Sequence, residues 1–396
     1  MMFPVKFGIV LVGSTFLFGL TFGDAILSKA SAQSQKPTTS SDSSSSAKLS
    51  EVGKATTLPG AVNRLTFGLD GKRLIVECAP PPPTQSRIQG SFIFLQPGPP
   101  DIRHTVWDLT SHRVVSLKAM AYSYGGNLLA PDLRTLAVWR TVSTSRQSAP
   151  RAELEFHDVA SQRKVARPKV WKWLGDKMEP LAFSADGKTV AVKAEASHGI
   201  VLIDVETGKS ISKIRMDDDT WLTVLPGVVF SGDGKVLAVP LMDAKALALC
   251  DIASGKVLRK FEKFDRGWVL ALTNDGKILA LGDPKSDEVR VWDVATGKEL
   301  GVCEGLKGGV NDLAFSGNGK VLFAANDRDV VAWDVAAKRE IARLRGHRHA
   351  VTVLAVSPDG KRLASGGKDK AVRLWDISAY APESKSRDKT PVDQKP

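Results

Sequence analysis

The chain has 396 residues and carries 55 Lys and Arg against 43 Asp and Glu, a formal charge of +12, with 43% hydrophobic residues and six histidines. Only three cysteines occur, Cys78, Cys250 and Cys303, none at ligand spacing, and the histidines form no H-x-x-x-H pair. These facts argue against a disulfide framework and against a zinc or haem site. A length this far above the usual domain size predicts two or three domains unless a repeat fuses them into one.

At the N-terminus, Lys6 precedes an apolar run over residues 7–22 (FGIVLVGSTFLFGLTF), and Ala30-Ser31-Ala32 supplies the small-residue pattern of a signal-peptidase site. Residues 1–32 are therefore expected to be a signal peptide cut after Ala32. The alternative is an uncleaved anchor, for which the run is short, since about 20 apolar residues span a bilayer. No cysteine follows the run, so a lipid anchor is not supported. Residues 33–47 (QSQKPTTSSDSSSSA) are too polar to bury surface and should be a flexible tether. The same holds for the tail, residues 379–396. Loss of Lys6, Lys29 and Asp24 with the leader leaves a charge of +11.

From residue 48 to 378 one phrase recurs seven times, clearest at residues 351–376 (VTVLAVSPDGKRLASGGKDKAVRLWD). Its closing aspartates, Asp108, Asp158, Asp204, Asp251, Asp293, Asp334 and Asp376, are spaced by 50, 46, 47, 42, 41 and 42 residues. A period of about 40–45 residues with a terminal Trp-Asp marks four-stranded propeller blades. Within one copy, residues 310–316, 320–325, 330–334 and 338–344 read as four strands with period-two alternation. Pairs such as Asp70-Gly71, Asp186-Gly187, Asp233-Gly234, Asp275-Gly276 and Asp359-Gly360 supply the positive φ that hairpins need. The last copy lacks a fourth strand after Trp375-Asp376, whereas residues 50–57 (SEVGKATT) sit where other copies have theirs. The expected fold is all-β: a seven-bladed propeller of four-stranded antiparallel blades, closed by the N-terminal strand so that two open edges disappear.

In these motifs the chain resembles the WD-repeat β-propeller family, of a bacterial exported type. The resemblance implies a hydrogen-bonded tetrad in the last copy, made by His347, Ser365, Asp369 and Trp375. Order, spacing and the added Trp favour a structural network over a hydrolase triad. In the preceding copy Asp327 and Trp333 keep their spacing, but Lys307 replaces the His and Ala324 the Ser. Cys250 and His157 occupy positions where other copies have Trp, and Cys250 reads as a small buried hydrophobe.

Catalytic and cofactor signatures are weak throughout. The segment Ala121-Tyr122-Ser123-Tyr124-Gly125 only faintly echoes a nucleophile elbow, and it lies where other copies carry Ser184, Ser231 and Ser316. No phosphate-binding glycine loop is found, and Asp217-Asp218-Asp219 lacks the alternating ligands of a calcium loop. No catalytic residue, cofactor or metal is therefore assigned.

Departures from the repeat point instead to a contact surface. In a propeller, the loops joining second to third strands and those joining fourth to first strands open on one face. Two loops of the first kind are enlarged, residues 79–103 and 140–152, and Trp171, Trp173, Trp221 and Trp268 fall on or beside loops of the second kind. Residues 338–373 hold ten Lys and Arg against Glu340, Asp359 and Asp369. Of these, Arg345 and Arg348, with His349, share one loop of the last copy, and Lys368 and Lys370 share another. Large aromatics and Arg commonly carry binding energy, and positive charge draws an acidic protein or an anionic envelope component. Nucleic acid fits the charge but not export. The resulting expectation is an exported, periplasmic or secreted, non-enzymatic scaffold for a protein partner, without a membrane span after cleavage. The alternatives are a catalytic or small-ligand propeller (lyase, glycosidase or quinoprotein-like), which needs convergent carboxylates or histidines at the channel, and a sensor domain detached from a signalling protein.

Overall fold

The structure, a computed structural model, describes residues 49–381 apart from 53–55, 59, 79–102, 112, 117–126, 143–150, 159–162, 167–177, 195–198, 216–226, 242–245, 263–268, 284 and 307. The leader and tether expected at 1–32 and 33–47 lie outside the described residues. Residues 46–396 group as one unit. Within it are seven antiparallel sheets, at 62–116, 127–166, 178–215, 229–262, 269–303, 312–345 and 351–376, here blades 1 to 7. In blades 1 to 6 the four strands pair in simple sequence order. First strands neighbour first strands around the ring.

One turn chemistry recurs at the end of the first strand in blades 3, 4, 5 and 7. The buried hydroxyls of Ser184, Ser231, Thr273 and Ser357 donate to the aspartate two residues on, at 2.6, 2.7, 2.7 and 2.5 Å. Each also accepts the amide five residues on, that of Thr189, Val236, Ile278 or Arg362. The glycine after the aspartate then adopts φ between 61° and 72° at Gly71, Gly187, Gly234, Gly276 and Gly360, a conformation that costs other residues energy. The closing aspartate of each repeat does similar work between third and fourth strands. Asp204, Asp251 and Asp293 accept both the amide and the hydroxyl of Thr207, Ser254 and Thr296. Those bonds hold the three carboxyls below the usual range.

The blades cohere through seven apolar cores, one per interface. Val190, Val192, Val201 and Ile203 of blade 3 meet Leu154 and Phe156 of blade 2, and Leu237, Val239 and Ala248 of blade 4 meet Ile200, Leu202 and Ile214 of blade 3. The other five interfaces repeat this pattern. Burying each such side chain contributes on the order of 1.5–3 kcal/mol, which explains why blades without a polar tetrad still hold. The three cysteines belong to these cores as free thiols. Burial pushes the Cys250 thiol up to about 12 and that of Cys303 to about 11, so neither serves as a nucleophile.

Blade 7 closes the ring. Its own strands are Val351–Val356, Arg362–Gly367 and Ala371–Asp376, and the fourth position is taken by Ser50–Glu51 and Thr56–Thr57. Ser50 pairs with Asp376 and Glu51 with Trp375, while Thr56 pairs with Val372 and Thr57 with Ala371. The single strand read from the sequence is thus two short pairings, because the N-terminal segment carries two more residues than the edge it covers. Beyond Asp376, Ile377 is fully buried and a 3-10 turn spans Ser378–Tyr380, with Tyr380 packed on the core between blades 6 and 7. The ring therefore continues slightly past residue 378.

Side chains also cap the inner edge between neighbouring blades. Asn311 Nδ2 donates to Val351 O at 2.9 Å, Asp312 Oδ2 accepts from Leu354 N at 2.7 Å, and Thr352 Oγ1 donates to Val62 O at 2.7 Å. Backbone groups that would be left unpaired at the channel wall are satisfied this way.

Candidate protein-docking surface

The site is built on blade 7 from the inside outward. His347, in the loop between the fourth strand of blade 6 and the first of blade 7, is buried. Its Nε2 lies 2.8 Å from Ser365 Oγ, and its Nδ1 is 3.1 and 3.0 Å from the two oxygens of Asp369. Trp375 Nε1 donates to Ser365 Oγ at 2.9 Å. Burial holds the His347 pKa below its ordinary value despite Asp369. A neutral ring fixes one consistent relay: Trp375 donates to Ser365, Ser365 to His347 Nε2, and His347 Nδ1–H to Asp369. Burial pushes the Asp369 carboxyl up, but the Arg348 amide and the His347 ring outweigh it and hold the group below the usual range.

Serine, histidine and aspartate here have the distances of a hydrolase triad. The serine nevertheless has no exposure at all, and its oxygen already accepts from an indole. No substrate carbonyl can reach it, so these four residues act as a clamp. Orphaning one of the buried groups costs about 1–3 kcal/mol.

The clamp orients the surface above it. Asp369 Oδ2 accepts the Arg348 amide at 2.9 Å, which turns the Arg348 side chain outward. Arg345 is not in the loop as expected but ends the fourth strand of blade 6, paired with Asp329; it, Arg348 and His349 in the loop that follows, and Lys368 and Lys370 on the other loop are all exposed. His347 and Asp369, one from each loop, bring the two cation-bearing segments together. Arg345 makes only a distant contact, 3.9 Å, with Asp329. Lys370 holds φ of +63°, a left-handed conformation unusual for lysine, at the tip of its turn.

Trp171, Trp173, Trp221 and Trp268 lie outside the described residues. So do residues 79–102 and 143–150 of the enlarged loops, Ser123, Lys307 and Asp217-Asp218-Asp219. In blade 6 Trp333 has lost the polar partners of the tetrad and donates instead to Glu304 O at 3.2 Å. In blade 5 the indole N–H of Trp292 has no partner, and the ring meets Phe261 edge-on at 5.6 Å.

Three features escaped sequence inspection. His157 is buried 2.9 Å from the carboxylate of buried Glu155. Asp312 is half-buried at the start of the first strand of blade 6, where desolvation pushes its carboxyl up to about 7 against the pull of two amides. Arg373 joins Glu51 to Gly346 O. Two of them carry a sequence signal: His157 stands at a Trp position of the repeat, and Asp312 is an acid at a position that is Val269 in blade 5 and Val353 in blade 7.

The opposite face is made of the short repeated turns. A cavity of about 630 Å³ opens at its centre, lined by Phe67, Phe315, Val356, Pro131, Asn274 and Asp275 among others. Its carboxylates Asp233 and Asp275 are committed to their own turns and to Lys235 and Lys277. Among the described residues no three His, Cys, Asp or Glu converge as a metal site, and no helix is long and apolar enough to cross a membrane.

The ring of four-stranded antiparallel sheets defines a seven-bladed β-propeller. The WD domain, G-beta repeat family matches residues 297–334 and 338–376, each match spanning the fourth strand of one blade and three strands of the next, from blade 5 to blade 7. Together with the seven blades and the clamp, these matched repeats support a WD-repeat β-propeller. Propellers of this kind are commonly protein-interaction scaffolds and typically lack enzymatic activity. No curated protein matches the sequence.

Proposed function

We propose that the chain is an exported scaffold of bacterial type that docks an acidic segment of a protein partner on the basic loops of blade 7. The observation that carries this reading is the pair of loops tied by His347 and Asp369, which display Arg345, Arg348, Lys368 and Lys370 to solvent. Such a display steers an acidic partner and makes association salt-dependent. The signal-like residues 1–32 support action outside the cytoplasm. An anionic envelope polymer shares the chemistry, but a protein is favoured because propellers of this family commonly bind proteins.

Lysine-directed crosslinking in the native envelope, followed by peptide mapping, tests the proposal. It should place an acidic partner at Lys368 and Lys370, not at Lys72, Lys188, Lys235 or Lys277, on a chain beginning at Gln33. Crosslinks confined to the latter four lysines, or an intact N-terminus on cytoplasmic protein, contradict it.

A further inference from the structure

Besides the bond from His347 to Ser365, three inward bonds hold the loop that follows Arg345 and carries Arg348 and His349. Two go to Asp369, from the His347 ring and the Arg348 amide. The third comes from Arg373 on the third strand, whose Nη2 donates to Gly346 O at 2.6 Å. Through Nη1 the same guanidinium donates to Glu51 Oε1 at 2.6 Å, and Glu51 lies on the N-terminal strand beside Trp375. Arg373 Nε is buried without a partner. The side chain therefore depends on its two terminal contacts, one to a carboxylate and one to the loop. Gly346 lies against the guanidinium: a Cβ there would stand 2.9 Å from Arg373 Cζ and Nη1.

The loop ahead of blade 6 provides the contrast. There Gly305 O accepts from Arg343 Nη2 at 3.3 Å, but the carboxylates that hold Arg343, Glu340 and Asp329, belong to its own blade. Only in blade 7 is the arginine held by the closing strand. A planar fork with one carboxylate partner is fixed by it and swings free without it.

We infer that the N-terminal closing strand positions the basic docking loop, with Glu51 and Arg373 as positioning residues acting through Gly346. The docking surface is then complete only in a ring closed by that strand. The inference rests on the loop's docking role, but the loop's order is measured separately from binding.

The full chain is compared with Glu51→Ala and with the double variant Glu51→Arg, Arg373→Glu. The measurements are tryptic cleavage after Arg345 and Arg348 under native conditions, melting temperature, and salt-dependent binding of poly-L-glutamate. Native-state proteolysis reports local opening. Glu51→Ala should speed cleavage at both arginines at least threefold relative to cleavage at Lys235 and Lys277, and weaken poly-L-glutamate binding. The charge swap should regain melting temperature but not loop protection, because a carboxylate at that position cannot donate to Gly346 O. Unchanged cleavage at Arg345 and Arg348 in Glu51→Ala overturns the inference, as does an equal rise at all four sites or full loop protection in the swap. Faster loop cleavage with unaltered poly-L-glutamate binding upholds the positioning and sinks the docking role.

Discussion

Asp312 shows how one residue sets a pH response for the ring. Its oxygens accept the amides of Leu313 and, across the blade boundary, Leu354, while burial pushes its carboxyl up to about 7. An unfolded chain ionises this group near pH 4. Between about pH 4 and 7 the folded protein keeps a proton that the unfolded chain has released, so this group lowers stability as pH rises and levels off above 7. Aspartates with depressed values, such as Asp204, Asp251 and Asp369, act oppositely: their stabilisation is present above the unfolded value and lost as pH falls through the folded one. Asp312→Asn keeps an acceptor for Leu354 and removes the titration. Denaturant titrations should then show the variant's stability relative to wild type rising between pH 4 and 7, by on the order of a few kcal/mol. A constant difference across that window contradicts the assignment.

At the scale of elements, the closing strand is the most consequential. Residues 50–57 cover the edge of Ala371–Asp376, and flanking Leu49 and Leu58 pack on the cores between blade 7 and its two neighbours. Deleting residues 48–57 removes the edge cover and Leu49 and should lower the melting temperature by about 5 °C or more, whereas deleting 391–396 should shift it by less than about 1 °C. Equal effects in calorimetry contradict the closure. This element was legible in the sequence because repeat arithmetic exposes a missing strand. The strands of blade 6 were legible too: 320–325 and 338–344 correspond to Val321–Ala325 and Arg339–Arg345. The first strand came out shorter, Asp312–Phe315 instead of 310–316, although the Asn311 amide before it still donates to Ala325 O of its own blade. Glu51 and Arg373, 322 residues apart, meet only through closure, and no local pattern announces such a pair. The tetrad was readable since its four residues recur at set places in one repeat, and the basic loops because charge shows directly in sequence.

Over the whole molecule, the two faces differ in what they leave free. On the face of short turns, Lys235 and Lys277 sit beside Asp233 and Asp275 of their own turns at 3.5 and 3.1 Å, so positive charge there is locally balanced. On blade 7, Asp369 is turned inward to His347, and the cations around it project without that balance. Exposed ion pairs are worth little individually, so the contrast matters for steering a partner rather than for holding the ring. The most direct measurement is the affinity of the full chain for its crosslinked partner across a salt series. It compares a variant with Arg345, Arg348, Lys368 and Lys370 changed to Glu with one carrying the same change at Lys72, Lys188, Lys235 and Lys277. The first should bind at least tenfold more weakly, with a flattened salt dependence and a near-native melting temperature, while the second keeps most of its affinity; loss of binding in the second with full binding in the first would contradict the account.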